Sequence, residues 1–209
     1  MKPERQLMLD GPAGRLEGLY RDGGRRGEGV LVLHPHPLYG GNMNNKVVFA
    51  MTQALGEAGL NTLRINFRGV GLSEGEYDDG QGEQDDLRCT LDFLAGELPG
   101  AKLYLAGFSF GAWLTLKVGG EDDRISAMLA VGTPAGWGDM DWLRPCTKPK
   151  LLIHGSQDEY CDPGRLAEEF RRLADPKKLI WVDGADHFFT EKLGELDKAL
   201  TENLKLILD

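Results

Sequence analysis

Short apolar runs alternate along this chain with longer segments of helical period, and this alternation restricts its fold more than any other feature. The runs at residues 29–33 and 125–131 are almost entirely apolar, as strands buried on both faces are. Residues 83–98 instead carry leucines at a spacing of three or four residues, which is typical of an amphipathic helix. Strands that alternate with helices in this way predict an α/β protein, in which a twisted, mostly parallel sheet has helices on both faces.

The strand-like runs number about eight, and no linker, internal repeat or low-complexity tract divides the 209 residues. Residues 6–10 and 15–21 flank the turn-forming segment 11–14 (GPAG), which predicts an antiparallel hairpin before the parallel strands. A hydrophobic content of 41% suffices for one sizeable core. We therefore expect a single α/β domain over residues 1–209.

The charge of this chain excludes some classes of binding partner, and its cysteine content indicates a compartment. Lysine and arginine number 24 against 33 aspartates and glutamates, and the net charge of −9 argues against a nucleic-acid or anionic membrane partner. No run of 18 apolar residues is present to span a membrane. Three cysteines without metal-type spacing fit free thiols in a reducing compartment. We expect a cytoplasmic protein that binds a small molecule. The oligomeric state, a homodimer included, and the role of Cys161 are left open.

A candidate nucleophile lies in the segment 107–111 (GFSFG), between the predicted strand 102–106 and a helical segment that starts at Phe110. A serine on a sharp strand-to-helix turn needs small neighbours, because its backbone is strained there. The turn also places the hydroxyl at a helix N-terminus, where developing negative charge is stabilised. The pattern and its context predict that Ser109 is a nucleophile.

A serine nucleophile needs a base, and the base needs an acid that orients it. His187 follows the last predicted strand, so we expect it to be the base. His154 ends the preceding strand and is interpreted as a buried, hydrogen-bonded histidine. Asp158 lies four residues beyond that strand end and is the preferred acid. Asp162 precedes a proline, and its place as a helix N-cap explains it sufficiently.

The loop after the strand 29–33 is expected to supply part of the oxyanion-binding site. A tetrahedral oxyanion needs two backbone N–H donors, one from the residue after the nucleophile and one from this loop. Phe110 is the first. Pro35 and Pro37 have no N–H, so the second donor is His36, Leu38 or a later residue, and His36 is preferred. Residues 67–75 match neither the P-loop nor the dinucleotide-binding fingerprint, and they are interpreted as structural support for the site.

Taken in order, these strand-end motifs resemble those of the α/β-hydrolase superfamily over essentially the whole chain. The matching segments are an oxyanion-loop motif at 34–37 (HPHP, with proline for the usual glycine), an Arg-Gly-x-Gly-x-Ser loop at 67–73, the nucleophile elbow at 107–111, an acid loop at 154–158 and a histidine loop at 186–187. The chain is most similar to small, lidless bacterial hydrolases related to dienelactone hydrolases and to the catalytic domains of acyl-peptide hydrolases.

This resemblance implies an α/β-hydrolase fold without a lid domain, a catalytic triad of Ser109, Asp158 and His187, and no cofactor. The segment 132–149 is too short for the helical lid of many lipases. We expect four apolar residues to line an open substrate pocket, although ordinary surface packing explains the tryptophans equally well. These residues are Leu38, Tyr39, Trp137 and Trp142.

The main functional hypothesis is a serine hydrolase, carboxylesterase-like, that cleaves an ester, thioester or amide through an acyl-enzyme on Ser109. Two alternatives belong to other classes. A metallohydrolase would use His34 and His36 as ligands, but it would leave the nucleophile elbow unexplained. A hydrolase fold can also serve as a non-catalytic binding protein, which commonly lacks part of the triad.

Overall fold

The computed structural model describes residues 3–23, 28–137 and 140–208. Eight strands in these ranges form one sheet: β1 (Arg5–Gly11), β2 (Gly14–Arg21), β3 (Glu28–Leu33), β4 (Asn61–Ile65), β5 (Lys102–Phe108), β6 (Ile125–Val131), β7 (Lys150–Gly155) and β8 (Lys177–Val182). Their spatial order is β1-β2-β4-β3-β5-β6-β7-β8.

Strand direction divides the sheet into two parts. β1 and β2 form the predicted antiparallel hairpin, and β2 pairs antiparallel with β4. The six strands from β3 to β8 all run parallel to one another. The prediction of a mostly parallel sheet of about eight strands is confirmed. Because the six parallel strands point the same way, their carboxyl ends meet at one edge.

Helices cover both faces of the sheet, as predicted. The helices are α1 (Lys46–Glu57), α2 (Gln81–Glu97), α3 (Phe110–Glu121), α4 (Pro163–Arg172), α5 (Leu193–Asn203) and α6 (Lys205–Leu208). One apolar core packs α2 and α3 against the sheet, and a second core on the opposite face packs α1, α5 and α6. The leucines of α2 show the cause, since Leu87, Leu91 and Leu94 are fully buried; each contributes about 1.5–3 kcal/mol relative to exposure.

Two connections complete the fold. Between β6 and β7, the described residues form only a short 3-10 turn at Asp141–Leu143, so the fold has no lid domain, as expected. Two successive helices form the C-terminal segment, since α5 ends at Asn203 and α6 begins at Lys205. Within the described ranges, no helix has the length and apolar character that crossing a bilayer requires.

Candidate active site

Ser109 lies on a strained turn between β5 and α3. Its backbone has φ 55° and ψ −115°, a conformation that non-glycine residues rarely adopt. The two neighbouring glycines are required by space: a Cβ on Gly107 would lie 2.1 Å from the carbonyl oxygen of Gly111, and one on Gly111 would lie 2.5 Å from that of Leu33. The tight packing under the turn therefore explains why both flanking positions are glycine.

The structure brings Ser109, His187 and Asp158 together at the carboxyl edge of the sheet. His187 Nε2 lies 3.0 Å from Ser109 Oγ, and His187 Nδ1 lies 2.7 Å from Asp158 Oδ2. A carboxylate only accepts hydrogen bonds, so His187 carries its proton on Nδ1 and donates it to Asp158. Nε2 is then free to accept the hydroxyl proton of Ser109.

Asp158 is held by its own loop. Its Oδ1 accepts the backbone N–H groups of Tyr160 and Cys161 at 2.9 and 2.8 Å. Burial opposes ionisation of this carboxyl, but the hydrogen bonds from His187 and from the backbone N–H of Cys161 outweigh it and lower its pKa below the ordinary value. Asp158 is therefore ionised at neutral pH, in the state that can stabilise an imidazolium on His187.

His154 is the second histidine beside this carboxylate, and it has a different environment. Its side chain is fully buried, and its Nε2 donates to the carbonyl oxygen of Cys161 at 2.7 Å. The same nitrogen lies 3.5 Å from Asp158 Oδ2. Burial lowers the pKa of His154, so the ring is neutral. These contacts agree with the interpretation of His154 as a buried histidine at a strand end, where it fixes the loop that carries Asp158.

The loop after β3 also contains one buried histidine. The Nε2 atom of His34 accepts the backbone N–H of Phe67 at 3.0 Å, and its Nδ1 donates to the carbonyl oxygen of Pro35 at 2.6 Å. Burial lowers the pKa of His34 to about 4. Because both ring nitrogens bind the backbone, His34 has no nitrogen left for a metal ion, and the proposed metallohydrolase pair with His36 is not supported.

His36 lies against the cavity beside Ser109. Its Nδ1 accepts the backbone N–H of Leu38 at 3.2 Å, so its Nε2 carries the proton and donates to Tyr77 Oη at 3.1 Å. Burial lowers the pKa of His36, which favours this neutral form. The rings of Tyr77 and Phe110 lie 4.9 and 5.2 Å from the imidazole. The His36 side chain is thus locked in place by hydrogen bonds and aromatic packing.

Tyr77 was not identified from the sequence, although it is the hydrogen-bond partner of His36. It lies in the connection between β4 and α2, 41 residues beyond His36. The only local signal is one aromatic residue in a segment that is otherwise rich in glycine and acidic residues (74–82). Such a signal indicates packing, and only the fold shows what Tyr77 packs against.

The expected oxyanion donors belong to the residue after Ser109 and to a residue of the cavity lining. Phe110 begins α3 directly after the serine, and His36 lines the cavity that contains Ser109. Among the hydrogen bonds of the described residues, neither the backbone N–H of Phe110 nor that of His36 donates to a protein acceptor. Both groups are therefore available to an oxygen atom of a bound substrate.

A cavity of about 520 Å³ opens beside Ser109 and His187. Of the four residues expected to line it, Tyr39 and Trp137 do so. Leu38 does not, although it precedes Tyr39 in the same 3-10 turn, and its side chain is 67% exposed. Trp142 does not either, because its ring packs beneath Lys117 Nζ at 5.1 Å, two turns along α3 from the serine. The expectations for Leu38 and Trp142 were therefore wrong.

Tyr160, Cys161 and Phe188 are among the residues that line this cavity without having been expected to. Cys161 is buried, and burial raises the pKa of its thiol, so it is protonated at neutral pH. Its sulfur could join Asp158 and His187 as a metal ligand, since one ligand atom of each lies within 4.8 Å of the others. The hydrogen bond between Asp158 and His187 already uses two of these three groups, which fits proton transfer better than metal binding.

Known proteins share this architecture. A family model described as an alpha/beta hydrolase domain matches residues 30–208. The uncharacterized protein RP471 of Rickettsia prowazekii is 39% identical over 209 residues, which cover 95% of this chain and 88% of that protein.

Two solved structures are similar over nearly the whole chain. An alpha-beta serine hydrolase homologue from Coxiella burnetii is 35% identical with a TM-score of 0.92, covering 98% of this chain and 99% of that one. XC6422 from Xanthomonas campestris, an a/b serine hydrolase without lid, is 34% identical with a TM-score of 0.90. The match covers 98% of this chain and 95% of that one.

Proposed function

This chain belongs to the α/β-hydrolase family, and we propose that it is a serine hydrolase that cleaves a small ester through an acyl-enzyme on Ser109. The observation that carries the proposal is the hydrogen-bonded chain from Asp158 through His187 to Ser109, with distances of 2.7 and 3.0 Å. The serine hydrolases of similar structure support the same class of activity.

In the proposed acylation step, Ser109 Oγ attacks the carbonyl carbon of the substrate while His187 Nε2 accepts the hydroxyl proton. The negative charge that develops on the carbonyl oxygen is stabilised by the backbone N–H groups of Phe110 and His36. Each such donor is worth about a hundredfold to a thousandfold in rate. Asp158 stabilises the imidazolium that forms on His187.

His187 then gives its proton to the leaving oxygen, the carbonyl–oxygen bond breaks, and the alcohol departs. A water molecule attacks the acyl-enzyme by the same route: His187 accepts its proton and returns that proton to Ser109 Oγ as the carboxylic acid is released. Thioesters and amides would follow the same steps with sulfur or nitrogen as the leaving atom. A purely binding role is less well supported, because a binding protein has no need of this hydrogen-bonded chain.

The test is hydrolysis of p-nitrophenyl butyrate by wild type, Ser109→Ala and a matched control, Ser126→Ala. Ser126 lies within β6, away from the cavity. We expect wild type and Ser126→Ala to release nitrophenolate at similar rates, and Ser109→Ala to be at least about 10³-fold slower. Equal rates for Ser109→Ala and wild type would contradict the proposal.

A further inference from the structure

The aromatic residues that line the cavity form two walls, one that contains His36 and one that lies against the His187 ring. We define the first wall as His36, Tyr39 and Trp137; the ring of His36 lies 4.7 Å from that of Tyr39 and 5.7 Å from that of Trp137. We define the second wall as Tyr160 and Phe188, whose rings are 5.8 Å apart. Tyr39 and Tyr160 are 86% and 66% exposed, so both walls extend from the serine to the solvent. Exposed apolar surface of this kind marks a binding site.

The proposed mechanism determines which part of a substrate meets each wall. His187 must give its proton to the leaving oxygen, so the alcohol part of an ester lies on the side of the His187 ring. The rings of Phe188 and Tyr160 lie 5.0 and 5.3 Å from that ring, which places the second wall against the alcohol part. The first wall, which includes His36 and Trp137, is then left for the acyl part.

The charges around the cavity select against anions. None of the described residues that line it is a lysine, arginine, aspartate or glutamate. His36 is held neutral by its burial, so it offers no cation for a carboxylate. The net charge of the chain is −9, and a neighbouring groove that shares Tyr160 carries four carboxylates and one arginine. The carboxylates belong to Glu159, Asp162, Glu168 and Glu169. An anionic group would therefore enter unpaired and against repulsion.

We propose that the site takes esters that carry no anionic group in either part, and that the two walls recognise flat groups separately. The wall with Trp137 selects a ring on the acyl part, and the wall with Tyr160 selects a ring on the alcohol part. This inference rests on the proposed hydrolase activity and adds its substrate class and the residues that set it. Stacking and burial of one ring on such a wall increase kcat/KM by about tenfold.

Four esters test this division by their kcat/KM values, measured from acid release at constant pH. Ethyl butyrate is the reference, ethyl 3-phenylpropanoate adds a ring to the acyl part, benzyl butyrate adds one to the alcohol part, and monoethyl succinate adds a carboxylate. We expect wild type to favour each ring-bearing ester over ethyl butyrate by about tenfold. We expect monoethyl succinate to be at least about tenfold worse than ethyl butyrate.

Two matched variants, Trp137→Leu and Tyr160→Leu, separate the walls and cancel differences in the intrinsic reactivity of the esters. Trp137→Leu should reduce the preference for ethyl 3-phenylpropanoate more than that for benzyl butyrate, and Tyr160→Leu should do the reverse. Phe49→Leu is the control, because Phe49 is an exposed aromatic residue on α1 that does not line the cavity. It should keep both preferences.

Each outcome decides a different claim. If the esters are hydrolysed but monoethyl succinate is as good as ethyl butyrate, or the two variants change both preferences equally, the inference is overturned and the hydrolase remains. If wild type hydrolyses none of the esters faster than Ser109→Ala, the proposed function fails and the inference falls with it. The crossed response of the two leucine variants would support both.

Discussion

Two regions at the carboxyl edge of the sheet each contain two histidines. His34 and His36 lie in the loop after β3, and His154 and His187 lie at the end of β7 and after the end of β8. His34 after β3 and His154 at the end of β7 are fully buried and bind backbone groups. His36 and His187 both line the cavity beside Ser109. In each region, therefore, one histidine holds a loop in place and the other lies beside the proposed substrate.

The cavity-lining histidines differ in their partners. His187 donates from Nδ1 to the carboxylate of Asp158, whereas the ring nitrogens of His36 bind Tyr77 Oη and the backbone N–H of Leu38. A carboxylate stabilises a protonated imidazole, and a phenol or an amide N–H does not. The comparison teaches that the hydrogen-bond partner, rather than proximity to Ser109, determines which histidine can serve as a base.

The largest expected effect separates these two histidines directly. His187→Ala removes the proposed base and should lower kcat for ester hydrolysis by at least about 10⁴-fold. His36→Ala keeps its backbone N–H and only loosens the loop, so it should lower kcat by no more than about 10²-fold. Steady-state kinetics on p-nitrophenyl butyrate measure both effects. An equal loss of kcat in the two variants would contradict the assignment of His187 as the base and of His36 as a residue that only supports its loop.

A smaller effect concerns the buried histidine His34 and its contribution to the stability of the fold. The pKa of His34 is lowered to about 4, whereas an unfolded histidine titrates near its ordinary value of about 6.5. Below that ordinary value the unfolded state binds a proton that the folded state does not, so stability falls as the pH drops from about 6.5 toward 4. This histidine alone should cost about 2–3 kcal/mol at pH 4.5 relative to pH 7.

Urea unfolding at the two pH values measures that loss, and His34→Gln is the matched variant because it cannot be protonated. The variant should be less stable than wild type at pH 7 and should show a smaller loss between pH 7 and pH 4.5. The same pH-dependent loss in both proteins would show that His34 is not the group responsible.

The smallest expected effect tests the hydrogen bond from His36 to Tyr77. Tyr77→Phe keeps the ring that packs against His36 and removes only the hydroxyl that accepts its Nε2–H. Losing this hydrogen bond should lower kcat about threefold to tenfold, which corresponds to about 0.7–1.4 kcal/mol, with little change in KM. If KM rises and kcat is unchanged, Tyr77 acts on substrate binding and does not position the loop.

The sequence predicted the parts of the site that have local signatures. The glycines around Ser109 are required by a strained turn, and His187 and Asp158 follow strand ends that must meet at one edge of a parallel sheet. The fold was predictable for the same reason, since strands and helices alternate with clear hydrophobic periods.

The walls of the cavity were not predictable in this way. Leu38 and Tyr39 are neighbours, yet only Tyr39 lines the cavity, because a 3-10 turn directs adjacent side chains differently. Tyr77 and Tyr160 come from separate connections whose paths depend on packing against the rest of the fold. Side-chain direction in such loops has no period that a sequence pattern could reveal.

The central claim is that Ser109 is a nucleophile activated by His187. The direct measurement is labelling of the folded protein with a fluorophosphonate probe, followed by intact mass and peptide mapping. We predict one adduct per chain, located on Ser109, absent in Ser109→Ala and formed much more slowly in His187→Ala. Folded wild type that takes up no probe, or that carries the adduct on a different residue, would contradict the account.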